Sequence, residues 1–263
     1  MNLEGKVVLV TGGSSGIGKG IVDYAITQGS SVILLDNQPV VENFSANDNF
    51  SFYQVDVSNS DSVAHVMKNI RHQFSHIDYL VNCAGVSGPF GPIWKTPEEQ
   101  YKWTFNVNFF GTCNVIRSFL QTYLRDLNEE CHIVNVSSHL GLLTHPHLSA
   151  YQSTKHAIVA FTESLRDDLI IEGIDSVSAH VYFPFFVQSN LCDSGRHLSE
   201  SDLYIGKCSK EFFEQISEMT DQGITALESA KLLFGSIERG EFYIYSDDQT
   251  KEEYRKRVER ILD

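Results

Sequence analysis

The chain has 263 residues, 42% hydrophobic and 21% charged, and its 34 Asp+Glu against 20 Lys+Arg leave a formal net charge of −14. That length and apolar content support a buried core without disulfide or metal staples, and exclude a disordered chain. So negative a field repels phosphate backbones and anionic lipid, so neither a nucleic-acid nor a membrane-surface partner is expected.

Apolar runs of strand length alternate with longer segments of helical period, the mark of βαβ units and a parallel sheet. Lys6–Thr11 (KVVLVT) is short, β-branched and bounded by glycines, and reads as a buried central strand. The preceding residues carry Glu4 and Lys6, with no apolar leader, so no export signal is expected. Gly16–Gly29 reads as a helix ended by Gly29 in a left-handed position. Ser31–Asp36 is the second strand and Phe50–Val55 the third. Ser60–Phe74 places Val63, Val66, Met67 and Ile70 on one helical face behind a serine cap, and Asp78–Asn82 is the fourth strand. Pro97 to about Asn128 reads as one long helix, with a break allowed near its start. Cys131–Val136 is the fifth strand, Tyr151–Glu172 a helix and Ser176–Tyr182 the sixth strand. Phe185–Thr220 is loosely patterned, part loop and part helix. Gly223–Glu238 is helical, Phe242–Tyr245 a last strand and Gln249–Leu262 a charged helix. No repeat or linker interrupts the chain, so 1–263 reads as one domain. No apolar run approaches the ~20 residues that span a bilayer. The cysteines Cys83, Cys113, Cys131, Cys192 and Cys208 are odd in number and never form C-x-x-C, so they read as reduced thiols in a cytoplasmic protein.

The first strand runs into Thr11-Gly12-Gly13-Ser14-Ser15-Gly16-Ile17-Gly18, from which a helix opens. Glycines at such a junction let backbone N–H groups approach a pyrophosphate, and the helix N-terminus adds partial positive charge. A glycine-rich turn alone carries little weight. This one is followed, eighteen residues after Gly18, by Asp36 at the end of the second strand, near the offset at which an acid binds adenosine ribose hydroxyls. No Lys or Arg lies between Gly20 and Met67 to receive a further phosphate, so NAD is favoured over NADP. Ser138 ends the fifth strand, and Tyr151 and Lys155, at i and i+4, share one helix face thirteen residues later.

Together, T-G-x-x-x-G-x-G, Ser138 and Y-x-x-x-K resemble the short-chain dehydrogenase/reductase family in its compact branch, over about residues 3 to 190. The resemblance implies a single-domain, Rossmann-type, doubly wound, mostly parallel sheet of seven strands in the order 3-2-1-4-5-6-7, with helices on both faces. It implies an NAD-dependent oxidoreductase that interconverts a secondary alcohol and a ketone. Ser138, Tyr151, Lys155 and Asn108 would be the catalytic set, and Ser138, Leu140, Tyr151 and Phe185 would meet the substrate. Cofactor contacts would come from Gly12, Ser14, Ser15, Gly16, Ile17 and Gly18, and from Asp36, Asn37, Asp56 and Val57. Further ones would come from Asn82, Ala84, Gly85, Tyr151, Lys155, Pro184, Val187 and Ser189. Residues 185–222 would form the substrate loop and 249–263 the terminal helix.

The implied chemistry follows from charge. A tyrosine of ordinary pKa ~10 is a poor base at neutral pH. Lowering it to ~7 takes about 4 kcal/mol, which one cation ~4 Å away supplies at an effective dielectric of ~20. Lys155 would be that cation and would also hold the nicotinamide ribose. Ser138 would bind the developing carbonyl oxygen, and Asn108 would hold a water linking Lys155 to solvent, with no metal required.

The chain departs from the family pattern at Cys83, where a second asparagine is usual, and at Phe185, where glycine is usual. It also ends in a charged helix, KEEYRKRVER, expected to be a solvated face held by i,i+4 pairs. Phe90, Ile93, Trp94, Leu140, Leu142, Leu143, Phe185 and Phe186 fall in loops expected at the mouth, and a largely apolar substrate follows if half of them line it. His139, His145 and His147 lack carboxylate or cysteine partners and are not expected to hold a metal. The two long helices are expected to build a homodimer or homotetramer. A second reading is a catalytically weak NAD-binding sensor or scaffold. A methyltransferase on a related sheet would have no need of Tyr151 and Lys155 at this spacing.

Overall fold

A computed structural model describes residues 3–39, 49–124, 129–195, 199, 203–206 and 209–263. Seven strands, β1 (Val7–Thr11), β2 (Ser31–Asp36), β3 (Phe50–Gln54), β4 (Tyr79–Asn82), β5 (Cys131–Val136), β6 (Val177–Phe183) and β7 (Tyr243–Tyr245), form one sheet. Their order is β3-β2-β1-β4-β5-β6-β7. Every pairing is parallel, so the mostly parallel sheet expected is wholly parallel: each connection is long enough to cross over and return in the same direction.

The helices are α1 (Gly16–Thr27), α2 (Ser60–Gln73), α3 (Glu98–Phe105), α4 (Gly111–Tyr123), α5 (Ser149–Ile171), α6 (Ser209–Asp221), α7 (Ala226–Glu238) and α8 (Gln249–Leu262). Strand alternation sorts the core into two layers. Leu9, Ile33, Leu35 and Leu80 point to the face covered by Val63, Met67 and Ile70 of α2, Val115 and Phe119 of α4, and Leu165 and Leu169 of α5. Val8, Val10, Val32 and Leu34 point to the other face, against Ile21, Val22 and Ala25 of α1 and Leu233, Phe234 and Ile237 of α7.

One local expectation is corrected and another is located. The cap of α2 is Asn59, whose side chain accepts from Ser62 N–H, because Ser60 already lies inside the helix. The long helix from Pro97 is broken by a π-helical turn, Asn106–Phe110, between α3 and α4. Its expected last residues, 125–128, lie outside the described residues, as do Cys208 and parts of the 185–220 segment. Gly29, at φ +81°, follows α1 as expected. The carboxyl ends of β1, β4, β5 and β6 lie together along one edge of the sheet, where ligands of open α/β sheets bind.

Candidate active site

A cavity of about 610 Å³ runs along that edge, lined by Gly12, Ser15, Gly16, Ile17 and Gly18 in its middle. One end is walled by Asp36, Asn37, Asp56 and Val57, and the other by Ser138, Tyr151, Lys155, Pro184, Phe185, Val187 and Ser189. The glycine loop is shaped by contact as well as by φ. A Cβ on Gly18 would sit 2.2 Å from Gly12 O, and one on Gly12 would sit 2.5 Å from Ala84 Cα. At Gly12 and Gly18 there is no room for side chains, so the glycine backbone itself lines the cavity. Thr11, which sequence reasoning passed over, explains why β4 meets this loop: its Oγ1 accepts from both Cys83 N–H and Ala84 N–H at 3.1 Å. Its position before Gly12 in the motif was the available signal.

Asp36 is nearly buried, yet stays on the cavity wall. Ser14 N–H donates to one of its oxygens (3.0 Å) and Gln38 N–H to the other (2.9 Å), so the carboxylate is oriented by the glycine loop itself. Asp56 is held similarly by Ser58 N–H and Oγ at 2.9 and 2.8 Å. Lys155 is the sole cation on the cavity wall among the described residues. A dinucleotide fits this donor set: backbone amides at the glycine loop for a pyrophosphate, carboxylate for ribose hydroxyls, and Ser189 and Lys155 beyond.

The catalytic residues converge at the other end. Ser138 opens a 3₁₀ turn, His139–Gly141, by accepting from Leu140 N–H (3.1 Å). Its hydroxyl also hydrogen-bonds Tyr151. Lys155 Nζ donates to Val136 O at 2.9 Å and lies 5.6 Å from the centre of the Tyr151 ring. Both side chains are buried, Tyr151 being 8% and Lys155 5% exposed. Burial pushes Tyr151 up to about 12 despite the Ser138 bond, which favours the phenolate. Burial likewise pushes Lys155 down to about 8. The expected lowering of Tyr151 to ~7 is therefore not what the chain's own groups produce. The ammonium shares that burial and has one of its protons on Val136 O.

Other placements differ from expectation. Asn108 is fully buried behind the cavity. Its Oδ1 accepts from Val86 N–H (2.8 Å), while Nδ2 donates to Val86 O (2.9 Å) and Thr154 Oγ1 (3.0 Å). Its amide thus fastens β4's loop to α5: both Nδ2 protons are used, and Oδ1 keeps one lone pair beyond its bond from Val86 N–H. Asn82 also lies behind the wall, in a buried relay from Asn82 Nδ2 to Asn135 Oδ1 and from Asn135 Nδ2 to Thr162 Oγ1. Ser14 contributes its backbone to Asp36 and is not on this cavity's wall. Leu140 packs behind Tyr151 with Phe90, Leu148 and Leu203 rather than facing the cavity, because the 3₁₀ turn carries it inward. Of the eight apolar loop residues, Phe185 lies on the wall, while Ile93 and Trp94 face solvent. Val86, Leu191 and Ser194 line the same end and were missed, since nothing local in their sequence marks them.

Phe185 is held by Ser246 Oγ, which accepts its N–H (2.8 Å), and by the rings of His139 and Phe186, 4.7 and 4.6 Å away. Burial lowers the His139 imidazole to about 4. His145 and His147 turn instead toward Phe212. No three His, Cys, Asp or Glu among the described residues are placed to share a metal. No described helix is long and apolar enough to cross a membrane.

Comparison with known proteins bears on the same region. The sequence model of a family described as short chain dehydrogenase matches residues 6–194. An uncharacterized oxidoreductase of Staphylococcus saprophyticus is 30% identical over 206 residues, which are 77% of this chain and 81% of that one. A diacetyl reductase, (S)-acetoin forming, of Staphylococcus aureus is 32% identical over 195 residues, 72% and 74% of the two chains. A solved short chain dehydrogenase/reductase from Burkholderia phymatum, in complex with NAD, aligns with a TM-score of 0.88 at 28% identity, covering 100% of this chain and 96% of its own. One from Burkholderia cenocepacia, in complex with NADP, shares the fold at a TM-score of 0.74 and 20% identity, covering 97% and 93%.

Proposed function

Because the chain belongs to the short-chain dehydrogenase/reductase family of NAD(P)-dependent oxidoreductases acting on CH–OH groups, we propose that it is an NAD-dependent enzyme interconverting a secondary alcohol and a ketone. The observation that carries this reading is one continuous cavity lined by Asp36, the glycine loop, and Ser138, Tyr151 and Lys155 together.

Asp36 supports NAD over NADP. Its carboxylate, oriented by Ser14 and Gln38, offers an acceptor for ribose hydroxyls and repels a further phosphate, with no cation beside it on that wall. Lys155 and Ser189 would hold the nicotinamide end, and the glycine-loop amides the pyrophosphate. Bound there, the nicotinamide supplies the hydride acceptor or donor and, when oxidised, the positive charge that the buried phenol lacks. Tyr151 takes the alcohol proton at its phenolic oxygen during oxidation and returns it to the carbonyl oxygen during reduction. Ser138, already bonded to Tyr151, orients that oxygen. Lys155 holds positive charge beside both and, pushed down to about 8, does so at neutral pH and loses it on the alkaline side.

The substrate end is mixed rather than uniformly apolar: Val86, Phe185 and Leu191 line the cavity together with Ser138 and Ser194. We infer a compact alcohol or ketone with one apolar flank, a class to which the substrate named for the diacetyl reductase relative also belongs. Self-association through α4 and α5 fits the exposure of Phe110, Ile170 and Ile171 beside them, and sedimentation velocity showing only monomer at micromolar concentration would refute it.

The test is a fluorescence titration with NADH and NADPH, followed by a panel of small secondary alcohols. Tighter NADH binding is expected, with turnover reduced at least a hundredfold in Tyr151→Phe and cofactor affinity kept. Binding without turnover across the panel would instead favour the sensor reading, and neglect of both dinucleotides would overturn both.

A further inference from the structure

The charged terminal helix is not simply a solvated face. Lys256 and Glu252 pair outward at 2.8 Å, as i,i+4 spacing implies, but Arg257 on α8 is half-buried and turns the other way. Its Nη1 donates to Leu142 O at 2.5 Å and lies 3.2 Å from His156 Nε2. His156 Nδ1 is 2.9 Å from Gln152 O, a contact only an N–H can make, so Nε2 is the acceptor and receives a hydrogen bond from the guanidinium N–H. Leu142 closes the 3₁₀ turn that Ser138 opens, and His156 is the residue after Lys155.

These two segments also touch on their inner side. Ser137 Oγ donates to Lys155 O at 2.9 Å, and a Cβ on Gly141 would lie 2.2 Å from Ser137 Oγ and 2.9 Å from Lys155 O. The turn after Ser138 and the helix turn carrying Lys155 are therefore pinned together from within by Ser137 and from without by Arg257. Tyr254, one turn earlier on α8, packs with Leu142, Val159 and Phe183 and seats the helix there.

We propose that Arg257 is a positioning residue for Ser138, Tyr151 and Lys155: one guanidinium, by bridging Leu142 O and His156 Nε2, holds the Ser138 turn in register with the Tyr151–Lys155 helix. Its kinetic consequence rests on the oxidoreductase reading, and its structural consequence does not. Small displacements of such groups are costly, since about 1 Å can reduce a rate on the order of a hundredfold.

The test compares Arg257→Ala and Arg257→Lys with the parent in the full chain. For alcohol oxidation, Arg257→Ala is expected to lose roughly tenfold in kcat while the NADH dissociation constant stays within about twofold. The pH profile should also move to higher pH, because a misplaced Ser138 no longer favours the Tyr151 phenolate. Arg257→Lys, which keeps a cation with three donors but lacks the planar fork, should recover part of the rate. A second readout needs no turnover: with ¹³C at tyrosine Cζ and Tyr151→Phe for assignment, the Tyr151 resonance should shift in Arg257→Ala and return in Arg257→Lys. An unmoved resonance and pH profile in Arg257→Ala would overturn the proposal. So would a rate loss matched by an equal loss of folded protein or cofactor binding. A shifted resonance in a parent that turns nothing over would retain the clamp and refute the oxidoreductase reading instead.

Discussion

Lys155 is an ammonium group in a place that disfavours one. Burial depresses it from 10.5 to about 8, so between those values the folded state binds fewer protons than the unfolded one and stability rises with pH. Below about pH 8 the penalty is complete, on the order of 3 kcal/mol. Replacing Lys155 with Met should therefore raise the unfolding free energy at pH 7 by up to about 3 kcal/mol, less what is lost with the bond to Val136 O. Turnover should disappear at the same time. A Lys155→Met protein less stable than its parent in urea at pH 7 would contradict this account of the site. Residue identities here were legible: the i,i+4 spacing of Tyr151 and Lys155, behind Ser138, specified which side chains would meet. Their protonation was not legible, because it depends on how deeply α5 and the 3₁₀ turn bury them. Phe185 shows the converse, a residue conspicuous in sequence whose placement is set by its neighbour Phe186 and by His139 and Ser246 from two other segments.

At the scale of elements, strands and helices followed their periodicity closely: VVLVT, SVILLD and CHIVNV alternate between the two faces of the sheet as their side chains require. The π-helical turn Asn106–Phe110 was visible only as an allowed break, since one extra residue per turn leaves the surrounding helical pattern intact. That turn aims Asn108 at the loop after β4, where its amide pairs with both backbone groups of Val86 and with Thr154, whose Oγ1 also donates to Tyr151 O at 2.6 Å. Asn108→Ala would unpair the part-buried N–H and C=O of Val86 at once. It should lower the unfolding free energy by about 2–4 kcal/mol by urea denaturation. If stability is unchanged while activity falls, Asn108 acts on the chemistry directly and the fastening role is wrong. Arg257 escaped the sequence for a different reason: its partners lie 115 and 101 residues away, while its neighbours form the pairs of an ordinary solvated helix.

For the whole molecule, acid sensitivity sets two opposing trends against each other. The net charge of −14 repels itself, and protonating carboxylates as pH falls relieves that repulsion. Buried histidines act the other way. His180, in the middle of β6, is pushed down to about 4 by burial, although Glu241 O accepts from its Nδ1 (2.8 Å). Its Nε2 faces Nδ1 of His132 on the neighbouring strand β5 at 3.1 Å, and His132 is itself lowered by burial and stacked on Tyr79 of β4. A folded-state value below the unfolded 6.5 means that the unfolded chain binds more protons between those limits. Stability is then complete above about 6.5 and is lost as pH falls toward 4, by about 2 kcal/mol at pH 5 for this one residue. His180→Asn separates the two trends, because it leaves the carboxylates untouched. Its urea midpoint at pH 7 should lie below the parent's, through lost hydrogen bonds to Glu241 and His132, but should decline less between pH 6.5 and 4.5. Parallel declines in the two proteins would place the acid lability elsewhere, first of all on His139, whose protonation would loosen Phe185 and the turn after Ser138 before the sheet itself gave way.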